Sequence, residues 1–315
     1  MSEEFVRIGT KLACWEMIRG GTTTFVDMYF YPEVIAEVAS SCGLRALVSS
    51  TVSDNETPNA MNADDALLNG QDFIERWKNK NSLITPILGP HAIYSVNLQQ
   101  LQNTRKIANE TNTPISIHLS ESQFETQYSL TNYGMTSIKA LESINFFDGL
   151  TIAAHVVWPT DEEILILTNN KVGVVHNPTS NMKLSSGIAP ISKMLEAGVL
   201  IGIGTDGAAS NNDLDMWEEM RLAALLQKVS TMNPEVLPAI EVLKMATVNG
   251  AKIIGMDNAI GKIGIGMTAD IIQIGYDDVH HLPSYDIASH LVYVTDEQDV
   301  INAVSYTHLT LPTKA

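Results

Sequence analysis

Cysteine is scarce: the 315-residue chain carries two, Cys14 and Cys42. Two thiols make no disulfide framework, and these lack the close spacing of a metal knuckle. Both read as small core residues. Long apolar runs are missing too. No stretch approaches the ~18 residues that a membrane-spanning helix needs, and the opening MSEEFVRIGT is acidic and polar, unlike a signal peptide. Positive charge is in short supply, with 19 Lys and Arg against 36 Asp and Glu and a net charge of −17. That balance argues against nucleic acid or an anionic membrane as partner. Charged residues reach only 17% against 45% hydrophobic, which excludes a disordered chain. Solenoid repeats and low-complexity linkers are absent as well. The composition predicts a cytoplasmic globular protein, long enough for one large domain or two smaller ones.

What is there is alternation. Short apolar runs rich in β-branched residues predict strands over Thr23–Met28, Leu44–Val52, Leu83–Leu88, Ile115–Leu119, Leu150–Val156, Val172–His176 and Val199–Thr205. They are nearly continuous rather than in/out patterned, as parallel strands covered on both faces are. Helical periodicity separates them, over Glu33–Ser41, Ala63–Lys78, Leu98–Asn109, Thr136–Ser143, Asp161–Leu167 and Ile191–Ala197. A helix Glu3–Arg19 leads, and Asp213–Val229 and Ala239–Ile254 follow. Seven β/α units fit an α/β fold, a (β/α)8 TIM barrel short of its first strand. An open doubly wound sheet is the rival, weakened because no Gly-x-Gly-x-x-Gly turn follows any strand. The Gly-punctuated stretch 259–275 reads as a strand pair of a small separate sheet. The expected division is a barrel over 1–258, a partial β-sandwich segment over 259–303, and a tail over 304–315. The tail back-translates without strain to a sequencing-library adaptor, so it is expected to carry no function, and His308 is set aside with it.

The polar residues with chemical potential fall at the C-terminal ends of the predicted strands, the face that carries the active site of a β/α barrel. His91 follows Gly89-Pro90, where a loop-capping role is an equal account. His118 ends Ile115–His118, with Glu121 three residues on. An imidazole and a carboxylate so placed can share a pocket with a metal, although His-x-x-Glu is common by itself. His155 ends a wholly apolar strand, and a buried hydrogen-bonded core histidine is the plain alternative. Asp206 ends another, where a carboxylate needs a metal, a cation or several N–H donors; a solvent-facing cap is the alternative. In the loop after His176, Asn181 is the substrate-facing candidate and His176 a buttress. Together these groups favour a metal-dependent hydrolytic site.

The segments HLSE (118–121), AAH (153–155), HNPTSNMKLSSGIAP (176–190) and GTDGAASNNDLDMWEEMR (204–221) resemble the amidohydrolase superfamily. The nearest branch is that of the 5-methylthioadenosine/S-adenosylhomocysteine deaminases, beside the chlorotriazine hydrolases and guanine deaminases. GTTTFVDMYFYP (21–32) and GPHAIY (89–94) are similar to the same branch, and the likeness runs from about residue 3 to 303. The two longest motifs are specific to this neighbourhood. The resemblance implies one zinc per chain, with iron as the alternative, and His118 and Asp206 as metal ligands. It implies Glu121 as proton shuttle, and His155 as hydrogen-bond partner of the water or the tetrahedral intermediate. Asp206 would also take the water's proton, so Glu121, Asp206 and His155 form the catalytic set. His91, Ser210, Glu121, Asp206 and, from the loop reading above, Asn181 are expected on the substrate.

The family's His-x-His of the first strand has no counterpart before His91, and its ribose-gripping carboxylate is missing as well. The expectation is a chain truncated at both ends, binding metal weakly and with little activity. The implied reaction replaces the amine of an adenosine-type purine by a keto group and releases ammonia. Guanine, a chlorotriazine or another aminated heterocycle is the alternative substrate, and a non-catalytic scaffold barrel is the alternative of another class. The expected partner is a small molecule; a homo-oligomer is left open.

Overall fold

The computed structural model describes residues 1–304; the expected tail lies outside them, apart from Val304. Seven strands, β1 (Thr24–Tyr29), β2 (Arg45–Val52), β3 (Ile84–Pro90), β4 (Ile115–Leu119), β5 (Thr151–His155), β6 (Gly173–His176) and β7 (Leu200–Ile203), form one sheet in sequence order. Every neighbouring pair is parallel. Helices on the connections cover the outer face, as right-handed β/α crossovers require. The result is the curled parallel sheet of a β/α barrel.

The strands form where the sequence predicts them because they are buried on both sides: all eight residues of β2 are buried, and Ile87, Leu88, Ile115 and Ile117 are fully enclosed. The helix starts are set by side-chain caps. Ser2, Asn62, Asn97 and Thr160 each accept a backbone N–H of the first turn, which satisfies one of the donors that a helix leaves without a partner. No strand ladder joins β1 to β7 among the described residues. The two ends of the sheet are instead linked through their helices. Glu16 Oε1 accepts from Leu214 N at 2.9 Å, and Trp217 Nε1 donates to Gly20 O at 2.9 Å.

Several elements differ from expectation. The stretch 259–275 is not a strand pair: only β8 (Ile271–Ile274) forms there, and its antiparallel partner is β9 (Val300–Val304). Gly261 and Gly266, at φ +89° and +84°, turn the chain where a ladder would need extended backbone. The single helix expected over 239–254 is three pieces, helix Ala239–Lys244, a π-helical turn Met245–Asn249 and helix Gly250–Ile253. Helices Gln123–Tyr133, Pro178–Lys183, Ala208–Asn211 and Ile287–Tyr293 are additional. The segment 259–304 is tied to the barrel by the buried ion pair Arg45–Asp270, 3.1 Å, and by Arg221 Nη2 donating to Thr295 O at 2.8 Å.

Candidate active site at the strand ends

The C-terminal ends of β3, β4, β5 and β7 bring together most of the residues singled out from sequence. His91, just after β3, holds His118 of β4 through its own carbonyl. That oxygen accepts both His118 N (3.1 Å) and His118 Nδ1 (2.9 Å). A carbonyl only accepts, so the His118 proton sits on Nδ1 and Nε2 keeps a free lone pair. His155 repeats the pattern, with Nδ1 2.9 Å from Asn181 Oδ1. His91 Nδ1 lies 2.7 Å from Ser95 Oγ, whose own hydroxyl donates to Ala92 O; His91 Nδ1 therefore donates. Three imidazoles thus turn their N–H to the protein and leave Nε2 available.

The rings are close. His118 stacks on His155 with centroids 5.5 Å apart, and His91 lies 5.0 Å from His118. Burial, then the neighbouring His118, lowers the His91 pKa to about 4. Burial followed by His155 also lowers His118, with Asp206 and Glu121 pulling back upward. The neutral imidazoles that a metal requires are therefore the resting forms.

Two carboxylates complete the group. Glu121 Oε2 is 3.9 Å from His155 Nε2, and Ser186 Oγ donates to Glu121 Oε1 at 3.3 Å. Asp206 Oδ2 accepts from Ser180 Oγ and Oδ1 from Gly207 N, both at 2.7 Å. These are the donors that an Asp at an apolar strand end needs. The backbone is strained here. Ser120, His155, Val156 and Asp206 all have positive φ (51°, 73°, 45° and 62°), a left-handed conformation that costs non-glycine residues and gathers at functional sites. Ser120 O locks two of these kinks by accepting Val157 N and Trp158 N.

Some placements differ from expectation or were not anticipated. Asn181 is buried against His155, with its Nδ2 lacking a protein partner; it lies in the short helix Pro178–Lys183, not in an open loop. Ser210 sits half-buried in the short helix Ala208–Asn211. His176 is buried with neither ring nitrogen hydrogen-bonded. Sequence reasoning missed Ser180, Ser186 and Glu125. Glu125 is fully buried and accepts Ser120 N (2.7 Å) and Glu121 N (2.9 Å), holding the backbone on which Glu121 stands. No sequence signal marks it, since Glu121 precedes the helix that carries Glu125.

Imidazole nitrogen with carboxylate oxygen is a donor set for zinc and its neighbours, and the free Nε2 of His118 beside Asp206 fits such an ion. The fit is partial. Among the described residues, no three His, Cys, Asp or Glu donors here lie mutually within 4.8 Å.

The amidohydrolase family profile matches residues 1–306. The 5-methylthioadenosine/S-adenosylhomocysteine deaminase of Thermodesulfovibrio yellowstonii is 44% identical over 300 residues, covering 95% of this chain and 68% of that protein. The 5'-deoxyadenosine deaminase of Methanococcoides burtonii is 42% identical over 296 residues, covering 94% and 67%. The crystal structure of a zinc-bound adenosine deaminase from Xanthomonas campestris superposes with a TM-score of 0.94 at 34% identity, covering 97% of this chain and 69% of that one. With the parallel β/α sheet and the polar groups at its strand ends, these matches place the chain in the amidohydrolase family.

Proposed function

We propose that the chain forms the catalytic barrel of a metal-dependent deaminase, which replaces the amine of an adenosine-type purine by a keto group and releases ammonia. The substrates are 5-methylthioadenosine or S-adenosylhomocysteine. One observation carries the reading: His118, His155, Glu121 and Asp206 stand at the C-terminal ends of β4, β5 and β7, each oriented by its own partner. The names borne by the relatives support the same chemistry.

His118 and Asp206 would hold zinc, or iron in its place. Such an ion, when bound, supplies the Lewis acidity that makes hydroxide available near neutral pH. Asp206, fixed by Ser180 and Gly207, takes a proton from the attacking water. His155 Nε2 accepts a hydrogen bond from that water, and Asn181 keeps the tautomer that allows it. Glu121 protonates the purine ring nitrogen as water adds to the carbon bearing the amine, then helps to protonate the departing ammonia. An acid at this point suits loss of an amine, a poor leaving group unless protonated; loss of chloride needs no proton. His91, Ser210 and Asn181 are assigned to the substrate, Asn181 through its unpartnered Nδ2.

The test is turnover of the zinc-saturated chain on four compounds, namely the two nucleosides, guanine and a chlorotriazine. Ammonia from the nucleosides is the expected result, at a low rate because His118 and Asp206 supply only two protein ligands to the ion. Ammonia from guanine alone, or chloride from the triazine alone, overturns the substrate assignment. Bound zinc with no turnover on any of them favours a non-catalytic barrel.

A further inference from the structure

We propose a second divalent-metal site, away from the barrel mouth, formed by His280, His281 and Asp299. Among the described residues these are the only three His, Cys, Asp or Glu side chains whose donor atoms all lie within 4.8 Å of one another. His280 Nε2 is 3.0 Å from Asp299 Oδ1 and 3.2 Å from Oδ2, and His281 Nε2 is 3.3 Å from Oδ2.

A second observation points to a ligand. His281 is fully buried, yet neither ring nitrogen makes a hydrogen bond. Its Nε2 faces Asp299 Oδ2 at 3.3 Å without hydrogen-bond geometry and its Nδ1 has no partner, so a buried ring is left with poorly met polar atoms, a cost that native structures rarely carry without a reason. Tyr276 stacks on one face of the ring with centroids 4.6 Å apart and holds its Nε2 toward Asp299. A metal on that nitrogen would satisfy it, and Nδ1 would then carry the proton. Asp299 is also held in place, since its Oδ2 accepts Asp296 N at 3.0 Å.

Two imidazoles and one carboxylate at this spacing suit a tetrahedral ion such as zinc or cobalt, with a water or another donor in the fourth position. His280 stays half-exposed at 40% of its side chain, which gives the ion a way in.

The location suggests what the ion would do. His280 and His281 lie in the 3₁₀ turn Val279–His281, and Asp299 closes the turn Glu297–Asp299 that leads into β9. A bound ion would tie these two turns, about 18 residues apart, across the two-stranded β8–β9 sheet. That sheet has little core of its own: Ile263, Ile265, Leu282 and Tyr285 around it are exposed. Segments too small to bury an adequate core commonly depend on a metal or another crosslink.

The experiment is cobalt titration of the full chain, read by visible d–d absorption, in a His118→Ala, Asp206→Asn background that removes the barrel donors. The expected result is one equivalent of tetrahedral cobalt in that background. His280→Ala, at a half-exposed position that should not disturb folding, is expected to weaken it at least tenfold. Where the background fails to fold, the wild-type chain serves, and His280→Ala should there remove one equivalent of bound cobalt. Hydrogen exchange gives an independent reading: zinc should slow exchange of the β8 and β9 amides in the wild type and not in His280→Ala. No visible absorption at saturating cobalt, absorption unchanged by His280→Ala, or exchange indifferent to zinc would each overturn the site and leave His281 as an ion-pair partner of Asp299.

Discussion

At the scale of single residues, the site separates groups that do chemistry from groups that hold them. Glu121→Gln keeps the size and the Ser186 contact but cannot shuttle a proton. The expected outcome is a fall in kcat of about 10²–10⁴ for ammonia release, with zinc content unchanged. Turnover within a few-fold of wild type would remove the shuttle role. Ser180→Ala tests the other class. It takes one donor from Asp206 and leaves Gly207 N in place. Removing an outer hydrogen bond from a metal ligand typically costs 10–100-fold in metal affinity, so competition with a chelator should show zinc held roughly 10–100-fold less tightly. Strand-end chemistry was legible in the sequence. His118, His155 and Asp206 each close an apolar run, where a polar residue stands out. Ser180, Ser186 and Glu125 were not, because a lone hydroxyl in a one-turn helix or a loop, or an acid in a polar helix, has no periodicity to mark it. Their partners are chosen by the tertiary fold.

At the scale of elements, all seven barrel strands were legible because each is enclosed on both faces, which leaves a nearly unbroken apolar run. Their ends were less so. The run Leu150–Val156 stops at His155 because the backbone there turns left-handed, and composition does not record that. Helix Gln123–Tyr133 escaped notice because its buried positions, Glu125 and Ser129, are polar. The π turn at Met245–Asn249 packs against β7, and the helix that follows it packs against β6 and β7. Gly173 and Gly202 allow helix Gly250–Ile253 to approach these strands: a Cβ on Gly173 would lie 2.7 Å from Ile253 Cγ2 and 2.8 Å from Cγ1, and one on Gly202 3.0 Å from Ile253 Cδ1. Gly173→Ala therefore overpacks a buried contact and should destabilise the chain by about 1–3 kcal/mol. Gly9→Ala is the control. It sits on the exposed side of helix Glu3–Arg19 with nothing within 4 Å of the new Cβ, and helix propensity predicts a gain of roughly 0.5–1 kcal/mol. Chemical denaturation of the two variants checks both signs. Equal destabilisation by both would mean that the approach of helix 250–253 is not what Gly173 provides.

At the scale of the whole molecule, buried acids and buried histidines oppose one another. Burial raises Glu125 and Glu219 from 4.5 to about 7. In the folded state they stay protonated where the unfolded chain has released its protons. Stability rises with pH only where the unfolded chain binds more protons, so each of these acids makes stability fall as pH climbs from about 4.5 to 7. Burial lowers His91 to about 4 and His176 to about 3, with His155 adding to the latter. Each histidine stays neutral in the fold while the unfolded chain takes up a proton below 6.5, so each makes stability rise with pH up to 6.5. Between pH 4.5 and 6.5 these two pairs cancel, while burial also raises Asp27 and Asp215 to about 6, which makes stability fall as pH climbs toward 6. Below about 4.5 the acids no longer offset the histidines, and stability should drop. His176→Phe unbalances the set. It removes a ring whose nitrogens have no hydrogen-bond partner, so the variant should lose little at neutral pH. Below 6.5 it leaves Glu125 and Glu219 against His91 alone. Relative to the wild type, its stability should then increase on acidification from pH 6.5 toward 4.5, by about 1.4 kcal/mol per pH unit for one uncompensated proton. Urea unfolding at intervals of half a pH unit, on the metal-free chain, reads the difference directly. Parallel curves for wild type and variant would mean that His176 titrates in the fold much as it does in the unfolded chain.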